Sequence, residues 1–580
     1  MKVPSNQFGF EELRAARRES RALFWAAGLF SAFVNLLMLT GPLYMLQVYD
    51  RVLGSRSVAT LLALTALVVF LYTMMGLLDY ARGRIMARAG ARFQARLDKR
   101  VFDAVMRKNA LGQQDETALA LRDLEAVQRL LTSPALMALF DMPFAPLFLF
   151  GIFLFHPWLG YLAIVGGALL IVLTLTNLLA TRRPLNRANS AVAHAEILSE
   201  QIRSEAEMIE AMGMRASAFA RWQKARTASL SEHMTAADLS GVFTTSGKAF
   251  RLLLQSAMLG LGAYLVLQNQ LTPGAMIAGS ILMGRALAPI EMSIGHWPLF
   301  ARARKGWQVL AQLLSDVPPE PSRMPLPRPN ALLEVIQVTV VPPGEAQASL
   351  KVVNFTVKPG QAVGVIGKSG AGKSSLARAL TGAWRPAGGK IRLDGAALDQ
   401  YDPTILGDLI GYLPQRVELF EGTIAENIAR LSLAPDAAAV VKAAQRADAH
   451  AMIVALPDGY DTKVSANGGR LSGGQIQRIG LARAMYGDPV VLILDEPNSN
   501  LDNDGSQALN RAISTFRKEG KSVLIMAHRP AAIEQCDILL MLEEGRVLSF
   551  GPKEEVLRRM VQNHSEITKQ AGKGEGGGTL

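Results

Sequence analysis

Eight residues, Gly367-Lys368-Ser369-Gly370-Ala371-Gly372-Lys373-Ser374, follow the strand-like run 362–366 at the G-x-x-x-x-G-K-S spacing of a phosphate-binding loop. Glycines at 367, 370 and 372 let backbone N–H groups reach phosphate oxygens with no side chain between them. A helix starting near Lys373 adds its positive end. Lys373 is expected to bridge the β- and γ-phosphates of ATP, Ser374 to ligate Mg²⁺ through its hydroxyl, and Ser375 to complete the nucleotide-binding stretch. Further on, the apolar run 490–494 ends in Asp495-Glu496. Asp495 is expected to support the metal, and Glu496 to orient or deprotonate the attacking water. Taken alone, such an acidic pair is an ordinary strand end; with a phosphate loop upstream, the chemical reading is preferred. Shortly before it, Leu471-Ser472-Gly473-Gly474-Gln475 precedes a helix-like run, 476–486, so it offers backbone donors and a hydroxyl at a helix N-terminus. In isolation this is a glycine-rich helix cap.

These motifs need a soluble α/β scaffold, and the last two hundred and fifty residues read as one. The first three hundred do not. A membrane span needs ~20 mostly apolar residues, and uncharged windows of that size cover 22–49, 57–78, 142–181 and 252–284. The third holds the end of one span, beginning near Leu130, and all of the next, with a turn at His156-Pro157-Trp158. The fourth starts one span, turns near 268–274, and starts another that ends before Arg302. The count is six helices. The chain of 580 residues carries a net charge of +12. Much of that excess flanks the spans, so membrane topology accounts for it better than nucleic acid does. The single cysteine, Cys536, excludes an intrachain disulfide and a cysteine-based zinc site.

Basic residues crowd the N-terminus, 82–108, 182–187 and 302–305. Six spans put all four places on one side, and the positive-inside rule makes that side cytoplasmic. The run 22–49 is far longer than the ~7–15 residues of a signal core, so it reads as a retained first span. The internal segments 79–129 and 182–251 then form helical arms, with tips near 111–121 and 212–222 as candidate contacts with the ATPase half. Six prolines between Ser315 and Asn330 mark an extended linker. The expected layout is a cytoplasmic segment 1–21, an all-α transmembrane domain 22–314, the linker 315–330, an α/β ATPase domain 331–562 and a disordered tail 563–580.

The order of phosphate loop, Gln415, LSGGQ, Asp495-Glu496 and His528 resembles the ATP-binding cassette (ABC) family. The resemblance implies a multidomain exporter with six transmembrane helices and a P-loop nucleotide-binding domain, using ATP and Mg²⁺. It implies that residues 471–475 close the nucleotide site of a partner subunit, giving a head-to-tail dimer, most simply a homodimer, with two shared sites. Gln415 matches the glutamine linking metal and γ-phosphate to the membrane half, and His528 the histidine sensing the γ-phosphate. Two departures stand out. Exporters of this family stack adenine on an aromatic residue ahead of the phosphate loop, whereas 338–342 here holds none, and Asn500 stands where alanine is usual.

Residues 42–53, 140–146, 154–160 and 284–291 look like the type I protein-secretion branch that exports metalloproteases and repeats-in-toxin proteins. That branch implies an inner-membrane ATPase exporting an unfolded polypeptide with a C-terminal signal, alongside a periplasmic membrane-fusion adaptor and an outer-membrane channel. The alternative of the same architecture is a homodimeric exporter of lipids or drugs. The six spans exclude a soluble ABC ATPase of DNA repair or translation. Two sets of charges remain to be placed. Asp141 in the third span and Arg285 and Glu291 in the sixth are candidates for the transport path. Asp141 and Arg285 are an expected pair, within a subunit or across the dimer; the competing reading has them reaching headgroups near the boundary. Arginines 84, 88, 92, 96 and 100 form a stripe that drifts about 40° per step around a helix. It reads either as a solvated arm, or as a surface binding anionic lipid with its upper members and lining a cargo entrance with its lower ones.

Overall fold

The computed structural model describes residues 8–112, 120–320, 323–465, 471–527 and 533–559. The chain divides into two compact units: apart from the short stretch 109–113, residues up to Pro319 form the first and those from Glu320 form the second.

In the first unit, six helices among the described residues are long and apolar enough to cross a membrane: Arg21–Ser55, Val58–Ala110, Pro134–Phe155, Pro157–Ser204, Arg215–Leu267 and Pro273–Ser293. They are the six counted from hydropathy, with turns at His156 and at 268–272. Val58–Ala110 and Arg215–Leu267 each run for 53 residues. At 1.5 Å per residue that is roughly 80 Å, far more than a hydrocarbon core of ~30 Å, so both continue as arms beyond any membrane. Pro157–Ser204 does the same and passes through Pro184 without ending. Phe148 and Ile152, Leu159 and Leu170, Leu254 and Met258, and Met283 and Leu287 join spans three to six in one apolar core. The second arm tip is a turn at Gly213 (φ 66°) between Ala206–Ala211 and Arg215. The first tip lies largely outside the described residues, as does the tail 563–580.

One element escapes a hydropathy reading. Residues Phe8–Arg18 form a helix whose Leu13 and Ala16 are buried against Phe93 and Leu97 of the span-two arm and Leu310 and Leu314 of the helix Trp297–Asp316. Gly9 is required there: a β-carbon would sit 1.9 Å from the carbonyl oxygen of Ala311. Its N–H donates to Ser315 Oγ at 2.9 Å.

The second unit is built on a six-stranded sheet. In chain order its strands are β1 (Leu333–Val340), β2 (Leu350–Val357), β3 (Ala362–Ile366), β4 (Gly388–Leu393), β5 (Ala396–Ala397), β6 (Ile410–Leu413), β7 (Gly422–Thr423), β8 (Lys463–Val464), β9 (Val491–Asp495), β10 (Ser522–Ala527), β11 (Ile538–Glu543) and β12 (Arg546–Pro552). The main sheet runs β12-β11-β3-β10-β9-β6, with β1, β2, β4 and β5 in a separate antiparallel sheet. All main-sheet pairs are parallel except the edge strand β12. β9 and β10 are buried along their full length. A parallel strand covered on both faces must read that way, as a continuous apolar run.

The proline-rich segment is fastened to this unit. Arg323 donates to the Tyr401 carbonyl, and Arg328 Nη2 lies 2.8 Å from Asp488 Oδ2. Asp488 also accepts from Arg446 and Lys521, each at 2.5 Å. Burial raises this carboxyl, but hydrogen bonds from Lys521 and Arg446 outweigh burial and hold it well below the usual range. A depressed carboxylate contributes stability above its unfolded value of about 3.9, and that contribution is lost as pH falls through the folded value. Denaturant melts of the Asp488→Asn chain are therefore expected to show a shallower loss of stability below about pH 4 than wild type. Parallel pH profiles for the two chains would refute this.

Candidate functional site

The parallel register assembles the site at one edge. Ile366 pairs with Ala527, Met526 with Asp495, and Leu494 with Leu413. The residues following β3, β9 and β6, the phosphate loop, Glu496 and Gln415, therefore emerge together at the carboxyl ends of their strands, where open α/β sheets bind ligands. β10 ends beside them at Ala527; His528 lies outside the described residues.

Glycine is needed in the loop for two separate reasons. At Gly367 a β-carbon would meet the Leu542 carbonyl oxygen at 2.4 Å, and at Gly372 the Ser349 carbonyl oxygen at 2.7 Å. Gly370 and Gly372 have φ of 80° and 102°, which L side chains disfavour. The helix Lys373–Leu380 starts directly from this turn. Lys373 Nζ donates to the carbonyls of Gly367 and Lys368 at 2.8 and 3.0 Å, bending back over its own loop. Burial lowers the pKa of this ammonium, against the raising effect of Glu496 and Asp495. Asp495 is buried, which raises its carboxyl, while a hydrogen bond from the Ser374 hydroxyl works the other way. A buried carboxylate already joined to Ser374 suits a hard cation with oxygen ligands.

Glu496 is the first residue past β9 and has φ of 50°, a left-handed conformation that costs a non-glycine residue ~1–2 kcal/mol. Its N–H donates to the Met526 carbonyl at 2.9 Å, which holds it there. Its Oε2 accepts from Gln415 Nε2 at 3.0 Å. Two groups expected independently from sequence thus touch.

Ser472 caps the helix Gly473–Met485 reciprocally. Its hydroxyl accepts from Gln475 N–H at 3.3 Å, and its own N–H donates to Gln475 Oε1 at 2.8 Å. A β-carbon on Gly474 would lie 3.3 Å from the Asn500 carbonyl oxygen, and one on Gly473 3.5 Å from Asn500 Cβ. Asn500, the departure from the family's alanine, is thus packed against the signature glycines. Gln477, which sequence reading passed over, is buried and donates to the Pro497 carbonyl at 3.2 Å, tying the signature helix to the segment after Glu496. Tyr412 was also missed. Its phenol is pushed up to about 12 by burial, with the Asp495 charge adding to the effect. Nothing marks either residue in the sequence beyond a place within a buried element. The stretch 341–349, without an aromatic side chain, leads directly into the Ser349 and Leu350 contacts with Gly372.

Within one chain, the membrane charges pair differently from the within-subunit expectation. Asp141 Oδ1 meets Arg82 Nη1 at 2.6 Å, not Arg285, and accepts from Asn35 Nδ2 at 2.8 Å. Arg82 also reaches Ser31 Oγ at 2.9 Å and Asp79 Oδ1 at 2.7 Å. Spans one, two and three are joined through this one guanidinium. The reason is continuity: span two stays helical past its apolar window, so Arg82, one turn after Asp79, turns inward instead of toward a headgroup. Glu291 pairs with Arg251 of span five at 2.6 Å, and Arg285 is exposed.

Six apolar helices joined on one polypeptide to a nucleoside-triphosphatase of this design define an ABC exporter subunit. The chain belongs to the ABC transporter family. The family's transmembrane region matches residues 24–288 and its ATPase matches residues 350–499. It is 44% identical over 549 residues, 94% of each chain, to the type I secretion system ATP-binding protein PrsD of Rhizobium meliloti (strain 1021). It is 28% identical, over 95% of this chain and 78% of the relative, to the exotoxin translocation ATP-binding protein PaxB of Pasteurella aerogenes. Its fold matches that of a bacterial Atm1-family ABC exporter solved with ATP bound, with a TM-score of 0.80 at 23% identity, covering 95% of this chain and 98% of that one.

Proposed function

We propose that this chain is the inner-membrane ATPase and permease of a type I secretion system, acting as a homodimer that exports an unfolded polypeptide with a C-terminal signal. The observation that carries the reading is the 44% identity to PrsD along nearly the whole of both chains, membrane half included. The N-terminus and ATPase unit face the cytoplasm. A periplasmic adaptor and an outer-membrane channel complete the path.

The residues divide the work as follows. Backbone N–H groups of 367–375 and the helix end at Lys373 bind the phosphates, and Lys373 exchanges its two loop carbonyls for β- and γ-phosphate oxygens. Ser374, Gln415 and Asp495 would hold Mg²⁺, which when bound offsets phosphate charge. Glu496, kept in place by the Met526 carbonyl and Gln415, accepts a proton from the water that attacks the γ-phosphorus, and ADP leaves. His528 contacts the γ-phosphate. Residues 471–475 present Ser472 and the helix N-terminus to the ATP held by the partner subunit, so each site is completed only in the dimer. Asp141, Arg285 and Glu291 are candidates to line or support the path.

Comparison of the extracellular proteins of the source bacterium with those of a Lys373→Ala strain tests this. One or more polypeptides are expected to vanish from the medium and remain in the cells. An unchanged extracellular set, with altered export of lipids or drugs, would overturn it in favour of a lipid or drug exporter.

A further inference from the structure

Polar groups tie span one and the segment before it to their neighbours at three levels. Below the spans, Arg96 and Arg100, the lower arginines of the stripe, meet Glu19 and Glu12 at 3.2 and 3.0 Å, so both are engaged within the protein instead of facing a cargo entrance. Further up, Ser31 and Asn35 join the Arg82–Asp141 network of spans two and three. The third level is the far end, opposite the one from which the chain leaves span six for the linker. There Asp50 Oδ2 accepts from Thr272 Oγ1 at 2.6 Å, and its Oδ1 accepts from the Gly274 N–H at 2.9 Å. Gly274 leaves room for this contact, since a β-carbon on it would lie 2.6 Å from Asp50 Oδ1. The carboxylate also faces the positive end of the helix Pro273–Gly295, which favours a negative charge. Among the described residues, span one makes no other hydrogen bond or ion pair to the segment leading into span six, or to spans four, five and six.

This joint is built to release. Asp50 and Thr272 are exposed, so water can take over the bonds they lose. Asp50 lies in the wide turn Val48–Val52, where the Leu53 N–H donates five residues back to the Val48 carbonyl. Such turns inside α-helices are found mostly at functional sites. Residues 42–53 carry the likeness to the secretion branch, and Asp50 is the one acidic residue among them. Cargo crossing the spans leaves at this end, and span one cannot part from span six there without losing both bonds.

We propose that Asp50 is a gate residue of the transport path. Its clasp on Thr272 and Gly274 holds the far ends of spans one and six together while no nucleotide is bound, and it opens when ATP closes the dimer. The proposal rests on the shared-site dimer and is indifferent to the nature of the cargo.

The full chain in lipid vesicles, carrying Asp50→Cys and Gly274→Cys on a Cys536→Ala background, provides the test, since Cys536 is the single native cysteine. A β-carbon at position 274 lies 2.8 Å from Asp50 Cγ, one bond from Asp50 Cβ, so the two β-carbons come within roughly 4.3 Å, the reach of a disulfide. Without nucleotide the pair is expected to oxidise readily, and ATP with vanadate to slow that oxidation about fivefold or more. Once formed, the disulfide should lower ATP turnover about tenfold, with recovery on reduction. In the native chain, Asp50→Ala should raise cargo-free turnover per folded dimer about two- to threefold, the scale of an exposed charged contact. Asp50→Asn, which keeps an acceptor, should raise it less. No disulfide without nucleotide, equal oxidation rates with and without ATP and vanadate, or unslowed turnover by the cross-linked chain would each overturn the proposal. So would an Asp50→Ala rate no higher than wild type. Turnover by the reduced pair shows in the same preparation that the ATP site is intact, so a failed gate is told apart from a failed assignment of the ATPase.

Discussion

Glu496→Gln is expected to lower ATP turnover by about 10²–10⁴-fold, the range over which a positioned general base accelerates a reaction, while ATP binding persists. The substitution is nearly isosteric. The new amide oxygen can still accept from Gln415, now 3.0 Å from the carboxylate, and the backbone bond to Met526 is untouched. What disappears is the ability to take a proton from water, so nucleotide should accumulate bound and the dimer should be trapped closed. Lys373→Ala should act earlier, weakening nucleotide binding itself, because the ammonium now resting on the Gly367 and Lys368 carbonyls is the cation proposed to bind the phosphates. Steady-state hydrolysis and nucleotide-binding isotherms on both variants separate the two effects. If, as proposed, Ser472 and Lys373 serve one ATP from different subunits, turnover should also depend on dimer concentration. Full activity from a strictly monomeric preparation, or from Glu496→Gln, would remove the shared-site mechanism.

Much of this site was legible in the sequence because phosphate chemistry constrains residue types at fixed spacing. Gly367, Gly370 and Gly372 must be glycine for reasons of close approach and positive φ, and such constraints survive in a linear string. The six spans were legible for a similar reason, since a bilayer imposes length and polarity on each segment alone. What depends on adjacency was not. Strand β3 lies between β10 and β11, which come more than 150 residues later, and no local pattern records that order. The N-terminal helix was hidden because its charges, Glu12 with several arginines, read as a basic cytoplasmic segment until Arg100 is set beside Glu12, and Arg96 beside Glu19 just past the helix. Pairing inside the membrane failed in the same way. Asp141, Arg285 and Glu291 were visible as costly charges, but a string of residues does not say that Arg82 and Arg251 are their neighbours.

That correction carries the other large expected effect. Asp141→Ala removes the closer carboxylate from a buried arginine and one of the two acceptors of the Asn35 amide, which keeps only the Ser31 carbonyl at 2.8 Å. Breaking a buried pair from one side typically costs about 3–5 kcal/mol, because the remaining charge stays buried with incomplete compensation. Asp79 offsets only part of this, being more than half exposed. Thermal melts of the detergent-solubilised chain should show the loss, along with reduced yield of assembled dimer. Arg82→Ala should be comparably damaging, and the double variant less than additive, since a residue cannot lose the same partner twice. Asp141→Asn should fall between, as its amide oxygen still accepts from Asn35. Arg285→Ala, at an exposed position, should change stability by little. If instead it matched Asp141→Ala and the two losses failed to add, Asp141 would answer to an arginine of the partner subunit, and the Arg82 network would be one of two arrangements the carboxylate adopts.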